Sequence, residues 1–263
     1  MTIAPKPDIL AAFERAEKYD DHAVVQRRAA QWLADRLTEI APPAPIDILE
    51  IGCGTGFVTA SVADRLCDAS WLLTDISPAM VERSRARLGT SARYRYGVMD
   101  GEKPQLDAST CFDIICSNLT VQWFGDLDGS LRRLFQYVKP GGHLLFTTLA
   151  DGTFEEWKRA HREVGVESGA LEYPDTSALR KIMLDGVRGQ IDVREMVESY
   201  ASATDFLHML RNIGAGTPVA SHRPLALPAM RKVMRRFEAN GATASYTIVR
   251  CCFRRPSPGT KRH

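Results

Sequence analysis

Several features that define other protein classes are missing from this chain of 263 residues. No apolar stretch reaches the roughly 18 residues that a membrane span needs, and no basic start with an apolar run marks a secretory signal at the N-terminus. The six cysteines form no CxxC pair, and no histidines stand at zinc-like spacing. We therefore expect a cytoplasmic protein with reduced cysteines in its core, without a metal, a nucleic-acid partner or a membrane contact.

The residues that are present favour one large α/β domain with an insertion. Hydrophobic residues make up 44% of the chain, which is enough for a full core at this length. Strand-like runs alternate with helical patterns, and this alternation predicts right-handed βαβ crossovers and a mostly parallel, doubly wound sheet. The predicted strands of this region are 46–51, 70–75, 93–98, 112–118 and 142–149.

The pattern changes at the two ends of this region. Helical spacing over 8–40 predicts one or two helices ahead of the sheet. After Asp151 we expect helices at 151–165, 176–187, 203–213 and 227–240, with strands at 190–200 and 244–253. The expected segments are an N-terminal helical lid (1–45), a core (46–150), a helical insertion over the active site (151–190), the C-terminal part of the core (191–255) and a disordered tail (256–263).

A glycine-rich turn follows the first predicted strand, in "ILEIGCGTGF". Gly52, Gly54 and Gly56 give the spacing G-x-G-x-G with no lysine, so neither the dinucleotide fingerprint nor the phosphate loop fits. Such a turn lets a ligand touch the backbone, and the N-terminus of the following helix favours negative charge. By itself the turn could also be only a tight connection between strand and helix.

A carboxylate ends the second predicted strand. Asp75 stands nineteen residues after Gly56, where a doubly wound fold places the acid that accepts hydrogen bonds from ribose hydroxyls. Its plain role would be a helix cap, but Ser77 and Pro78 already supply a helix start. We therefore expect Asp75 to be available to a ligand.

The spacing Glu50-x-Gly52-x-Gly54-x-Gly56 resembles motif I of the class I S-adenosylmethionine-dependent methyltransferases. The resemblance implies a Rossmann-like seven-stranded sheet with helices on both faces and an inserted helical lid. It also implies that the glycine turn takes the methionine end of the cofactor, that Met80 lines the adenine and that Asp100 lies near the adenine amine. The cofactor-binding residues that it implies are Glu50, Gly52, Cys53, Gly54, Gly56, Asp75, Ile76, Met80, Asp100, Gly101 and Asn118.

A narrower resemblance concerns the methyl acceptor. The stretches "FERAEKYDDHAVVQ", "SNLTVQW", "FTTLADGTFEEW" and "LRNIGA" are similar to the malonyl-[acyl-carrier protein] O-methyltransferases of biotin synthesis. This family implies methyl esterification of a free carboxylate, S-adenosylhomocysteine as product, an acyl-carrier protein as partner and a monomeric enzyme. The chain lacks the N/D-P-P-Y/F pattern of many amino-group methyltransferases, which disfavours an amine acceptor.

Four residues are the candidates for the acceptor side. The resemblance makes Tyr19 a lid residue, gives Gln122 and Trp123 functional roles in which Trp123 supplies an apolar wall against water, and makes Arg211 the cation that orients the malonyl carboxylate. Each also has a plainer role: Tyr19 could pack, the pair could close the sheet, and Arg211 could simply meet a helix dipole. Family members often have lysine where Arg211 stands, a difference that keeps the charge but changes the geometry.

Three alternatives remain open at this point. A methyltransferase of the trans-aconitate type would act on a small acid. A relative of the respiratory complex I assembly hydroxylase would act on protein arginine, and a cofactor-binding protein without catalysis would do neither.

The second half of the chain is basic. Residues 154–263 hold 18 Lys and Arg against 12 Asp and Glu, whereas residues 1–153 hold 16 against 20. Acyl-carrier proteins are small and acidic, so a basic surface would attract one. Three clusters are candidates, in 158–162, 180–188 and 231–236, and the sequence does not choose among them. Charge reversal of Arg180 and Lys181 is the first test that the sequence suggests, with a higher KM for the carrier substrate as the expected result.

Overall fold

The computed structural model describes residues 6–16, 18–215 and 223–257. The helices are α1 (Lys6–Glu14), α2 (Tyr19–His22), α3 (Val24–Ile40), α4 (Phe57–Val62), α5 (Pro78–Leu88), α6 (Leu127–Gln136), α7 (Glu155–Val164), α8 (Thr176–Lys181), α9 (Ala203–Asn212) and α10 (Leu227–Ala239). The strands are β1 (Ile46–Ile51), β2 (Ala69–Asp75), β3 (Tyr94–Val98), β4 (Phe112–Asn118), β5 (Val138–Leu149), β6 (Met183–Leu184), β7 (Val187–Arg188), β8 (Gln190–Ser199) and β9 (Thr243–Arg254).

The main sheet has seven strands in the order β3-β2-β1-β4-β5-β9-β8. The pairs β1 with β2, β1 with β4, β2 with β3, and β4 with β5 are parallel. The chain starts at the central β1 and runs outward to β3 before it returns through β4, so β1 and β4 are neighbours at the switch of strand order. Ligands of doubly wound sheets bind at the carboxyl ends of the strands at such a switch. The predicted α/β class and parallel sheet are confirmed.

The central strands are apolar because both of their faces are covered. In β1 every residue except Asp47 is buried, and β4 is nearly as enclosed. Ser77 caps α5 by accepting the backbone N–H of Met80 at 3.3 Å, and Pro78 takes the first helical position. The predicted start of this helix is therefore confirmed.

The helix predicted over 176–187 is wrong beyond Lys181. Helix α8 ends there, and β6 and β7 pair in an antiparallel hairpin. Asp185 and Gly186, at the turn, have φ of +49° and +78°, the left-handed pair that an Asp-Gly turn adopts between two strands. The turn preference of Asp185-Gly186 therefore determines the local structure, although the apolar residues around it have helical spacing.

Two further expectations need correction. The segment 8–40 forms three helices, because the short α2 ends at Ala23 before α3 begins. The cysteines are all free, but only four are buried, since Cys67 and Cys111 are exposed. Most of the predicted disordered tail, residues 258–263, lies outside the described residues.

The chain divides into two compact units. The larger contains the described residues of Gln26–Thr148, Thr176–Val193 and Val249–His263, and it includes β1 to β4. The smaller contains those of Met1–Val25, Leu149–Asp175 and Arg194–Ile248. In the part of the chain that the structure describes, no helix is both long and apolar enough to span a membrane.

The smaller unit has an aromatic core. The rings of Trp157 and Phe206 lie 5.3 Å apart, and Phe237 of α10 stacks on Phe206 at 5.1 Å. Glu156 anchors α7 by accepting both the backbone N–H and the hydroxyl of Ser245. These contacts fix α7, α9 and α10 against one another.

Candidate functional site

The glycine turn lies at the carboxyl end of β1. Gly52, Gly54 and Gly56 have φ of +64°, +54° and +86°, and Gly56 caps α4. These left-handed conformations cost glycine nothing but strain other residues. The three glycines are therefore required by the backbone path, as the pattern indicated.

Two of these glycines face different surroundings. A Cβ atom on Gly52 would lie 2.3 Å from the Thr120 hydroxyl oxygen, so Gly52 packs directly against the segment after β4. A Cβ atom on Gly54 would meet no atom within 4 Å. The Gly54 backbone is thus the point of the turn that a ligand can approach closely.

Asp75 is bound to this turn. Its two carboxylate oxygens accept the backbone N–H groups of Gly54 and Ser77, each at 2.9 Å. Ser77 acts in two ways, because its side chain caps α5 while its backbone N–H holds Asp75. That Asp75 binds a ligand stays a prediction. The backbone N–H of Ile76 is a third donor to this carboxylate. A carboxylate has about four lone-pair positions, so accepting capacity remains for a ligand hydroxyl. Burial raises the pKa of Asp75, and the backbone hydrogen bonds oppose that rise.

Glu50 lies beneath the turn and is 1% exposed. The Thr59 hydroxyl of α4 donates to its carboxylate, and the Thr74 hydroxyl donates to its backbone carbonyl. Burial raises the pKa of Glu50 from 4.5 to about 7, with a further rise from the neighbouring Asp75 charge. Two carboxyl groups therefore share this end of the sheet, an arrangement that favours a cationic ligand group.

The predicted adenine-side residues surround the ends of β2 and β3. Met80 is 1% exposed and Ile76 is half-buried. Asp100 accepts the backbone N–H of Glu102 at 3.0 Å, which orders the turn after β3. A Cβ atom on Gly101 would lie 2.2 Å from Ile51, so only glycine fits there.

Cys53 is buried inside the glycine turn. Its backbone N–H donates to Thr74, and burial holds the pKa of its thiol well above the ordinary value. The side chain is therefore a neutral packing group, and the contact that the turn offers at this position is its backbone.

The segment after β4 is held on both sides. Asn118 donates to the Gln26 carbonyl at 3.1 Å and accepts the Thr147 hydroxyl at 2.7 Å. These bonds tie β4 to α3 and β5. The predicted cofactor residue Asn118 thus has a structural role in addition to any role toward a ligand.

Gln122 and Trp123 lie on a short 3-10 helix, Val121–Trp123. Gln122 is 7% exposed, and its amide nitrogen donates to the Leu119 carbonyl at 2.7 Å. Its amide oxygen is buried and accepts no hydrogen bond from any described residue. Trp123 is partly exposed beside it.

Sequence reasoning missed the threonines that build this site. Thr120 closes against Gly52, Thr59 holds Glu50 and Thr147 holds Asn118. The signal for Thr59 was its place on the buried face of α4, nine residues after Glu50. No local signal marks Thr120, because its position depends on the left-handed backbone of Leu119 at φ +48°.

The other two predicted acceptor-side residues belong to the smaller unit. Tyr19 is partly buried on α2, and Arg211 is exposed in the last turn of α9. Helices α2 and α9 pack against each other. Gly214, just after α9, has φ of +72°, and a Cβ atom there would lie 2.7 Å from the Phe13 ring. The structure thus brings together the helices that carry Tyr19 and Arg211.

Known proteins share this fold. Residues 49–144 match the family described as "Methyltransferase domain". The YcgJ protein of Bacillus subtilis aligns with a TM-score of 0.60 at 15% identity, over 86% of this chain and 98% of that one. A phosphoethanolamine N-methyltransferase of Haemonchus contortus aligns with a TM-score of 0.54 at 18% identity, over 86% of this chain and 52% of that one. These likenesses show the fold.

Similarity along the sequence is more specific. A malonyl-[acyl-carrier protein] O-methyltransferase of Magnetococcus marinus is 35% identical over 240 residues, which are 90% of this chain and 88% of that protein. The biotin biosynthesis bifunctional protein BioCD of Bordetella avium is 42% identical over 254 residues, 96% of this chain. This chain spans 53% of that bifunctional protein's length.

Fold and site together define a class I methyltransferase, an enzyme whose cofactor is S-adenosylmethionine. The glycine turn is open at Gly54, with the Glu50 and Asp75 carboxyl groups beside it, and this set fits a cofactor that has both a cationic methionine end and ribose hydroxyls. The chain belongs to the malonyl-[acyl-carrier protein] O-methyltransferase family.

Proposed function

We propose that this protein transfers a methyl group to the free carboxylate of a malonyl thioester on acyl-carrier protein, an early step of biotin synthesis. The observation that carries the proposal is the 35% identity with the malonyl-[acyl-carrier protein] O-methyltransferase of Magnetococcus marinus, over 88% of the length of that protein. The candidates for the acceptor side are the segment at 118–123 and, on α2 and α9, Tyr19 and Arg211.

The chemistry requires little from the protein. S-adenosylmethionine, when bound, supplies a methyl group already activated on a sulfonium. A carboxylate with a pKa of roughly 4 is ionised at neutral pH, so no side chain has to remove a proton. The protein's tasks are to position the acceptor and to exclude water.

Each task has candidate residues. The backbone of Gly54, with Asp75 and Glu50, would hold the donor. Trp123 would form the apolar wall, and Arg211 would orient the malonyl carboxylate under Tyr19. The buried Gln122 oxygen suits an N–H or O–H donor of a ligand, because a buried acceptor without a partner costs free energy.

The product explains why such a reaction is useful. Methylation conceals one charge of a dicarboxylate, so the ester can pass through the apolar pockets of fatty-acid synthesis. The partner would be a malonyl-loaded acyl-carrier protein, and the reaction would take place in the cytoplasm with the protein acting as a monomer.

The test is release of S-adenosylhomocysteine with a panel of acceptors. We expect release with malonyl-carrier protein and none with acetyl-carrier protein, which differs only by lacking the free carboxylate. Release with trans-aconitate alone would support a small-acid enzyme. No release with any acceptor, despite cofactor binding, would leave a binding protein without this activity.

A further inference from the structure

Helix α10 carries an unusual set of exposed cations. Arg231, Lys232, Arg235 and Arg236 are all exposed on its thirteen residues. Arg236 reaches Glu163 at 3.9 Å, but the other three make no ion pair or hydrogen bond with any described residue. The only acid of the helix, Glu238, accepts the backbone N–H of Ala203 at 2.9 Å. This face is therefore positive and has no internal counter-charge.

The basic cluster on α7 is different. Arg162 pairs with Glu155, and Arg159 approaches Glu163 at 4.0 Å. The third cation, Lys158, lines a cleft of about 870 Å³ in which carboxylates outnumber cations. The charged residues of this cleft are Asp151, Glu155, Lys158, Arg162, Glu167, Glu172 and Asp175, together with the ionisable His161. An acidic partner would meet repulsion there.

The cluster on α8 is positive but small. Arg180 and Lys181 are exposed and unpaired among the described residues, at the end of a helix of six residues. Arg188 of β7, the third cation of this cluster, is also exposed and pairs across the hairpin with Met183, which is 39% exposed. The apolar side chain beside these cations is therefore less exposed than Leu227 of α10, which is 74% exposed.

On α10 an apolar side chain joins the charge. Leu227 is 74% exposed and begins the stripe Leu227, Arg231, Arg235, whose members stand four residues apart and so share one helix face. Lys232 lies beside this stripe. An exposed leucine beside unpaired cations is typical of a protein interface. The apolar side chain contributes buried contact area, and the charges increase the rate of encounter with an oppositely charged partner.

The opposite face fixes the helix in place. Val233 and Phe237 are fully buried, and the Phe237 ring contacts Trp157 edge-on at 5.3 Å. The docking face is thus presented by a rigid element, which lowers the ordering cost of binding.

We propose that Leu227, Arg231, Lys232 and Arg235, the α10 face, dock the acidic surface of the acyl-carrier protein. The inference rests on the proposed function and names the surface that binds the acyl-carrier protein. The α10 face acts on encounter with the protein partner and has no part in methyl transfer itself. It should therefore matter for a carrier-bound substrate and not for the same malonyl thioester on coenzyme A.

The experiment compares two double charge reversals of equal net charge. Arg231→Glu with Lys232→Glu reverses two charges of the α10 face. Arg180→Glu with Lys181→Glu makes the same change of charge on α8 and is the matched control. We expect the first variant to raise the KM for malonyl-carrier protein about tenfold at low salt, with the difference shrinking at roughly 0.15 M salt as charges are screened. Its KM for malonyl-coenzyme A and its kcat should stay within about twofold of the wild type, and this also shows that the variant folds.

A second variant tests the apolar part. Leu227→Ser should raise the KM for malonyl-carrier protein to a similar degree at both salt concentrations, because it removes contact area and no charge.

Three outcomes would overturn the inference. If both charge reversals raised the KM for malonyl-carrier protein equally, the enzyme would be responding to its net charge and not to a specific surface on α10. An unchanged KM for the carrier in the α10 reversal, while the wild type methylates malonyl-carrier protein, would reject the α10 face and leave the proposed function standing. Failure of the wild type itself to use malonyl-carrier protein would reject the proposed function and the docking face with it.

Discussion

At the scale of single residues, Glu50 is the most consequential side chain in the described structure. Its carboxyl is buried and has only the Thr59 hydroxyl as a side-chain partner. The pKa of Glu50 is raised to about 7, so folding favours its protonated form. Between about pH 4.5 and 7 the folded protein holds a proton that the unfolded chain releases. Glu50 therefore lowers the free energy of unfolding as pH rises through this window, and its effect is constant above it.

Glu50→Gln removes this dependence. The amide oxygen can still accept from Thr59, so the packing is kept. We expect the variant, relative to the wild type, to gain up to roughly 3 kcal/mol in free energy of unfolding between pH 5 and pH 8. Urea unfolding at both pH values measures it, and the exposed Glu195→Gln should show no such gain. A constant difference between Glu50→Gln and the wild type at both pH values would contradict the assignment.

The glycines of the turn predict a pair of opposite outcomes. Gly54→Ala should weaken S-adenosylmethionine binding about tenfold or more, because the new Cβ atom would lie where the ligand approaches the turn. Its free energy of unfolding should fall by only about 1–2 kcal/mol, the cost of a left-handed conformation at alanine. Gly52→Ala should cost roughly 2–5 kcal/mol, because its Cβ atom overlaps Thr120 as well. Calorimetry and urea unfolding separate the two. Full cofactor affinity in Gly54→Ala would place the ligand elsewhere.

At the scale of elements, α10 depends on the aromatic core beneath it. Phe237→Ala should lower the free energy of unfolding of the smaller unit by about 3–5 kcal/mol, because a fully buried ring is lost from between Phe206 and Trp157. Urea unfolding followed by circular dichroism measures this loss. Arg235→Ala, on the exposed face of the same helix, should change the value by less than about 0.5 kcal/mol. Similar values for the two variants would mean that α10 is not seated on this core.

The elements also show how far the sequence can be interpreted. Strands β1, β2 and β4 were predicted almost to the residue, because buried parallel strands are continuous apolar runs with clear ends. The β6–β7 hairpin was missed because Leu184 and Val187 also fit a helical stripe, and Asp185-Gly186 was not given its weight as a turn. Helix α2 has four residues, too few for any periodicity to mark its limits.

Some features of the candidate site could be predicted from the sequence and others could not. Motif spacing predicted the glycine turn, and the structure adds that all three glycines have left-handed conformations, which glycine adopts without strain. The bond from Gly54 to Asp75 could not be predicted, because it joins the ends of two different strands in three dimensions. The bond from Ser77 to Asp75 is local, between residues two apart in the chain, and it was overlooked. Whether Tyr19, Gln122, Trp123 and Arg211 act on the acceptor stays a prediction.

At the scale of the whole molecule, the proposed chemistry predicts the pH profile. With donor and acceptor saturating, kcat should be level from about pH 6 upward, because the acceptor carboxylate is already ionised and no general base is required. Saturation matters, because the pKa of Glu50 near 7 can change the apparent affinity for the cofactor without changing kcat. A kcat that rises about tenfold per pH unit through neutrality would point to an amine or hydroxyl acceptor.

The position of the new methyl group tests the central claim most directly. Malonyl-carrier protein would be incubated with the enzyme and S-adenosylmethionine labelled in the methyl group, and the product would be fragmented in a mass spectrometer. We predict one labelled methyl on the malonyl group attached to the phosphopantetheine arm, and its loss on mild alkaline hydrolysis as expected for an ester. A label on a carrier side chain, a label that resists hydrolysis, or no label on the malonyl group would contradict the proposed carboxyl methyltransferase.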